Sequence, residues 1–164
     1  MAGVTAFEDK IRMPNIAYPE PTVGALIFDQ QGRILLLKGK KHKNRYVIPG
    51  GHVEIGEKMH DAVRREVKEE TGLDIYDVEI LAIQDSIFNK FYHKRKHFIY
   101  IDFSCKTDSD DVKINEESEE FVWITPQESF SLPLDPYTER LIQEYLKGKN
   151  SKYRKNIIYG YKGL

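Results

Sequence analysis

The sequence predicts one mixed α/β domain. Short β-rich runs, punctuated by Gly, Pro and Asn, alternate with two stretches of helical period, in the order strands, helix, strands, helix. The length of 164 residues allows one domain with a proper core and is short for two. No internal repeat and no linker divides the chain, so the domain is expected over residues 19–148.

Residues 1–18 mix charge and polarity without a period and read as an N-terminal arm. Thr22 to Asp29 (TVGALIFD) and Arg33 to Lys38 (RILLLK) are strand-forming runs, and Gln30-Gln31-Gly32 between them predicts a hairpin. A basic loop, Gly39 to Arg45 (GKKHKNR), leads to a short strand at Tyr46-Val47-Ile48 that Pro49-Gly50-Gly51 stops. Pro fixes φ and Gly opens conformations closed to other residues, so the triplet predicts a sharp turn. A helix is expected from about Lys58 to Thr71, with Gly72 suited to the position just past its end. Strands follow at roughly Val78–Phe88 and His97–Cys105. In the second, Ile99, Ile101, Phe103 and Cys105 alternate with Tyr100, Asp102 and Ser104, the pattern of a half-buried strand. The segment Asp108 to Glu120 carries seven acids against Lys113 alone, and FVWI at 121–124 is a further short strand. Thr125-Pro126-Gln127-Glu128 reads as a capping box with Pro at the first helical position. Asp135-Pro136 begins a helix with Leu141, Ile142 and Leu146 on one side and Gly148 past its end. Residues 149–164 form a basic, aromatic tail.

With 40% hydrophobic and 31% charged residues, the composition is that of a soluble globular protein. A net charge of −1 gives no general attraction to nucleic acid or anionic membrane, so neither is expected as a partner. There is no apolar run of signal-peptide or membrane-spanning length, which predicts a cytoplasmic location. A single cysteine, Cys105, rules out an internal disulfide and fits a reducing compartment.

The first helix holds the chemistry. At 100° per residue its apolar stripe is Met59, Ala62, Val63 and Val67, yet Glu66 and Glu70 fall inside that stripe and Glu69 lies at its edge. An unpaired buried carboxylate is costly, so acids at these positions call for a positive charge among them. Residues spaced i, i+3 and i+4 share a helix face, so all three reach one point. Hard oxygen donors suit Mg²⁺, or Mn²⁺, better than zinc. Arg65 is placed to lock a fourth acid, Glu57, and so to orient the ligands. The Gly50-Gly51 turn can bring a backbone carbonyl near the ion, and a surplus carboxylate can take a proton from the attacking water.

The stretch GHVEIGEKMHDAVRREVKEETGL closely resembles the Nudix box: Gly51, Glu57, Arg65, Glu66, Val67, Glu69, Glu70, Gly72 and Leu73 occupy every fixed position of that family pattern. The resemblance implies a single-domain α/β/α sandwich around a mixed β-sheet. It implies hydrolysis of a nucleoside diphosphate linked to a further group X. Carried over by position, Glu57, Arg65, Glu66 and Glu69 form the catalytic set, Glu57 and Arg65 as its orienting pair. Gly51 (through its carbonyl), Glu66, Glu69 and Glu70 hold the metal.

Outside the box, no proline occurs between Leu73 and Pro126, so the proline markers of the ADP-ribose and NADH branches are missing. Val112 to Trp123 followed by TPQE resembles the nucleoside triphosphatase branch, including members acting on pyrimidine deoxynucleotides. There an acid six residues before the Trp approaches the metal, here Glu117. The expected reaction is a (deoxy)nucleoside triphosphate to monophosphate plus pyrophosphate. The same chemistry on a dinucleoside polyphosphate, a nucleotide sugar or an RNA cap stays open, as does a non-catalytic nucleotide-sensing module. Arg45, Tyr46 and His52 are the candidate substrate contacts, with core, rim or plain strand roles as the alternative. Two basic clusters, Lys38 to Arg45 and Lys94 to Lys96, could hold a polyphosphate. The expected partner is a nucleotide, and a homodimer stays open.

Overall fold

The computed structural model of the protein describes residues 17–149 in full and residues 158–161 as backbone. The N-terminal arm, apart from its last two residues, lies outside the described residues, as does Tyr153 of the tail.

Strand β1 (Glu20–Phe28) organises the sheet because its two faces are both apolar. Successive side chains of a strand point to opposite sides. Val23, Ala25 and Ile27 join Ala62, Val63 and Val67 of helix α1 (Met59–Thr71) in one apolar cluster. Leu26 joins Leu141 and Ile142 of helix α2 (Pro136–Lys149) in a second. The helices thus cover opposite faces, which makes the α/β/α sandwich.

The other strands are β2 (Ile34–Lys38), β3 (Tyr46–Val47), β4 (Gly50–His52), β5 (Tyr76–Ile87), β6 (His97–Lys106), β7 (Glu120–Ile124) and β8 (Ile158–Tyr161). Their order is β3-β2-β1-β6-β5-β8, with β4 also paired to β1 and β7 to β2. β1 and β6 run parallel, as do β5 and β8, while the remaining pairs are antiparallel, so the sheet is mixed. The β1–β2 hairpin forms as expected. Asp29 Oδ1 accepts from the backbone N–H of Gln31 and of Arg33 at 2.9 and 2.8 Å, the side chain closing the turn.

Several local expectations change. Gly50 and Gly51 sit in strand β4 without positive φ, so their value is closeness to neighbours and not an unusual turn. Met59 opens α1 and stays 38% exposed, leaving Ala62, Val63, Val67 and Thr71 as the buried stripe. The Thr125–Glu128 capping box forms, with the Glu128 N–H donating to Thr125 Oγ1 at 3.3 Å. It caps only one 3₁₀ turn, Glu128–Ser131, because Pro133 disfavours helix at the residue before it. Gly148 falls within the last turn of α2. Part of the basic tail enters the sheet as β8 beside β5. Among the described residues, no helix is long and apolar enough to cross a membrane.

Candidate active site

Strand β4 brings its backbone against α1. It pairs with β1 so that Gly51 faces Val23 and Gly50 faces Gly24. A Cβ on Gly51 would stand 2.5 Å from Glu66 Oε1, and closer still to its Cδ and Oε2. The Glu66 carboxylate therefore occupies the space a side chain would fill. One turn further along α1, Glu70 Oε2 accepts the Gly50 N–H at 2.8 Å. Two acids of the stripe thus meet the backbone of one short strand.

A single guanidinium organises the rest. Arg65 Nε and Nη2 donate to Glu57 Oε1 and Oε2 at 2.8 and 2.9 Å, a two-pronged grip. Arg65 Nη1 donates to Glu66 Oε1 at 2.8 Å, and Nη2 also reaches the His52 carbonyl at 3.0 Å. Glu69, 57% exposed at its side chain, touches Nη1 only at 3.4 Å. The Arg65 fork, helped by the Glu54 N–H, holds the Glu57 carboxyl down at about 2. Burial works the other way on the inner acids. It pushes Glu70 up to about 8 against the Gly50 N–H, and repulsion from Glu66 and Glu117 adds to the rise. Burial also raises Glu66, with Arg65 opposing and Glu69 and Glu117 reinforcing.

Among the described residues, no three His, Cys, Asp or Glu side chains already converge as a metal cage. Glu66 is turned to Arg65, and Glu70 to the Gly50 N–H. The donor set fits a hard divalent cation all the same. It is made of carboxylate oxygens crowded at a buried edge, and the raised affinity of Glu66 and Glu70 for protons reflects first their burial and then a mutual repulsion, both of which a cation would offset.

Glu117 stands with this group, as its effect on Glu66 and Glu70 requires. The acidic segment docks on the basic loop through three ion pairs: Lys38–Glu120 at 3.0 Å, Lys40–Glu119 at 3.3 Å and Lys41–Glu117 at 2.5 Å. Glu66, Glu69, Glu70 and Glu117, together with Lys41 and His52, line a cavity of about 450 Å³. His52 Nε2 lies 2.7 Å from Glu20 Oε2. Two expected substrate contacts do not reach the cavity. Arg45 stacks its guanidinium 3.7 Å above the Phe91 ring and donates to the Leu134 carbonyl at 3.0 Å, a packing role. Tyr46 is buried in the core with its hydroxyl bonded to Glu120, and burial pushes that hydroxyl up to about 12. In the mid-chain basic cluster, Arg95 stacks over Phe88 and Lys96 pairs with Glu20, and neither cation lines the cavity.

The cavity also holds residues that the sequence did not single out: Gln84, Asp102 and Asp135. Asp102 occupies a position read as the wet side of β6, yet it is 4% exposed because α2 covers that face. Its signal in the sequence was an acid in a strand flanked by aromatic residues, which by itself reads as exposure.

A mixed sheet between two helices, with glutamates oriented by one arginine at the edge of a cavity, is the architecture of a pyrophosphohydrolase. Comparison with known proteins gives the family. The model of the NUDIX domain matches residues 18–145. The nucleoside triphosphatase NudI of Escherichia coli (strain K12) is 31% identical over 137 residues, covering 77% of this chain and 96% of the relative. The MutT protein of Methanosarcina mazei Go1 superposes with a TM-score of 0.71 at 25% identity, over 83% of this chain and 99% of that one. An ADP-ribose pyrophosphatase of Streptococcus suis 89-1591 shares the fold at 22% identity, with a TM-score of 0.64, over 87% of this chain and 100% of its own. The chain belongs to the Nudix family of hydrolases.

Proposed function

We propose that the protein hydrolyses nucleoside triphosphates to monophosphate and pyrophosphate with Mg²⁺, for which Mn²⁺ can substitute. The observation that carries this reading is the Glu66 carboxylate seated against Gly51, beside Glu70 on the Gly50 N–H, at a cavity that also holds Lys41 and Glu117. The likeness to a relative named a nucleoside triphosphatase supports the substrate class.

Glu66, Glu69, Glu70 and the Gly51 carbonyl would hold the ion, with Glu117 joining them on leaving Lys41. When bound, the ion neutralises phosphoanhydride oxygens and makes water a better nucleophile. The chain's own residues do the rest. Arg65, clamped by Glu57 and the His52 carbonyl, fixes where Glu66 points. Glu69 is exposed and tied to Arg65 only at 3.4 Å, so its carboxylate oxygen that does not face the ion can take the proton of the attacking water. Lys41, once parted from Glu117, places an ammonium beside the polyphosphate. Substrate contact through His52 remains part of this reading, whereas Arg45 and Tyr46 act as packing.

The test incubates the protein and Mg²⁺ with a panel: ribo- and deoxynucleoside triphosphates, a dinucleoside polyphosphate, a nucleotide sugar and a capped RNA. Pyrophosphate release from triphosphates, at a kcat/KM at least about tenfold above the other classes, is expected. A protein that cuts none of them while a nucleotide raises its Tm is a binding module, and the reading fails.

A further inference from the structure

The face of the sheet beneath α2 carries, beyond His52, polar groups that the hydrolytic chemistry does not use. In register across four strands, His52 (β4), Thr22 (β1), Tyr100 (β6) and Gln84 (β5) form one row. Gly50, Gly24, Asp102 and Ala82 form the next. The second row is small on both sides of its acid. A Cβ on Gly24 would stand 2.5 Å from Asp102 Oδ1, so glycine there leaves the carboxylate its space. Gly50 also holds Glu70, and Asp102 is two strands away, about 10 Å. That is the reach from the phosphate end of a nucleotide to its base.

Gln84 and Asp102 are 3% and 4% exposed, and both line the cavity. Gln84 Nε2 donates to Asp102 Oδ2 at 2.8 Å and to the Tyr137 carbonyl at 3.4 Å, which uses both amide protons. Among the described residues, Gln84 Oε1 is left without a hydrogen-bond partner. A buried carbonyl without a partner is costly and rare, and a ligand that donates to it removes the cost. Asp102 fixes the amide's orientation, because an ionised carboxylate can only accept. Burial raises the Asp102 carboxyl to about 6, with Gln84 opposing, so at pH 8 it is ionised. Both groups therefore offer acceptors. Thr22 Oγ1, also without a partner among the described residues, lies on β1 opposite His52 and can donate or accept, so it does not discriminate. Tyr92, Phe98, Tyr100 and Tyr137 touch ring to ring in a chain, at 5.1, 5.7 and 5.4 Å, and wall the cavity with surfaces on which a planar base stacks.

We propose that Gln84 and Asp102 read the nucleobase, and that they select bases bearing an exocyclic amino group over the corresponding carbonyl bases. The inference rests on the cavity being a nucleotide site. An amino group brings two N–H donors, one for Gln84 Oε1 and one for Asp102. A carbonyl in the same place faces two acceptors, so neither it nor Gln84 Oε1 gains a donor, and Asp102 keeps only its bond from Gln84. A site built to hydrogen-bond a substrate N–H rejects the analogue without it far more strongly than an apolar pocket rejects a missing methylene.

Nucleoside monophosphates hold no phosphoanhydride, so their binding can be measured without turnover. Calorimetric titration of the full chain at pH 8 with Mg²⁺ compares dCMP with dUMP and AMP with IMP. The amino member of each pair is expected to bind at least about tenfold more tightly, the scale of one charge-assisted hydrogen bond. Asp102→Asn, whose amide can donate to a carbonyl, should bring the ratios within threefold or invert them. Gln84→Met should shrink them as well, and melting curves show whether each variant is folded. Wild-type ratios within threefold, preference for dUMP and IMP, or no binding of any of the four overturns the proposal. So does a wild-type ratio in both folded variants. A protein that selects dCMP and AMP but cuts no triphosphate keeps this proposal and loses the hydrolytic one. Triphosphate cleavage without amino selection does the reverse.

Discussion

Replacing Gly51 by alanine separates the two roles of the β4 backbone, pairing and placement of Glu66. Gly51 lacks positive φ, so alanine fits its backbone, and the sheet pairing with Val23 survives. The new methyl would stand 2.5 Å from Glu66 Oε1, whereas ordinary contact begins at 3.4 Å. The carboxylate must therefore retreat by about 1 Å. That movement breaks the 2.8 Å bond from Arg65 Nη1. A hydrogen bond between charged groups contributes about 1.5–3 kcal/mol. Arg65 and Glu66 side chains are 25% and 15% exposed, so the lower half of that range applies. Stiffening the unfolded chain returns about 0.4–1 kcal/mol. The net loss of about 1 kcal/mol lowers Tm by roughly 2–4 °C in a chain of this size. Displacing a catalytic group by about 1 Å costs on the order of 100-fold in rate. The assay measures pyrophosphate release at saturating Mg²⁺ and triphosphate, alongside thermal melts followed by circular dichroism. A variant within threefold of wild-type kcat would show that Glu66 does not work from its place against Gly51.

Glu70→Gln keeps an acceptor for the Gly50 N–H but removes the charge, and kcat should fall by at least about two orders of magnitude in the same assay. Near-wild-type turnover would remove Glu70 from the site. Arg65→Lys replaces a fork by a point charge that cannot span Glu57, Glu66 and the His52 carbonyl together. Activity titrated against Mg²⁺ should show a loss of about 10–100-fold in apparent metal affinity or rate. Asp102 makes stability depend on pH. Its folded carboxyl, at about 6, lies above the ordinary 3.8, so the native state binds the proton more tightly and stability falls as pH rises between those values. Above pH 6 the full penalty, up to about 3 kcal/mol, is present. Asp102→Asn should accordingly gain stability relative to wild type in urea titrations at pH 8 and lose that advantage at pH 3.5. An equal difference at both pH values would show that Asp102 is not held up by burial.

Much of the site was legible because the box helix obeys local rules. Glu66 and Glu70 violate its apolar stripe, and the i, i+4 spacing puts both against the β4 backbone, while Glu69 stays exposed at the edge. The Glu57–Arg65 grip was legible for a similar reason, being local to the loop and helix of the box. Arg45 and Tyr46 were misplaced by nearness along the chain. Their partners, Phe91, Leu134 and Glu120, come from distant segments, and those contacts turn both side chains away from the cavity.

The amino-acid sequence by itself determined the class of fold and the family, and it marked out the glutamates of the box, because period, spacing and residue type act over one or two helical turns. Only the tertiary structure decided what stands opposite them. It decided that Gly51 matters for the missing Cβ and not for a turn, that Lys41 faces Glu117, and that α2 buries the second face of β6. Asp102 alternates with apolar neighbours as a solvent-facing residue would. A strand's pattern records that a face is polar, but not whether water or a helix lies over it. That depends on residues about forty positions away, packed by a sheet whose β1 and β6 run side by side.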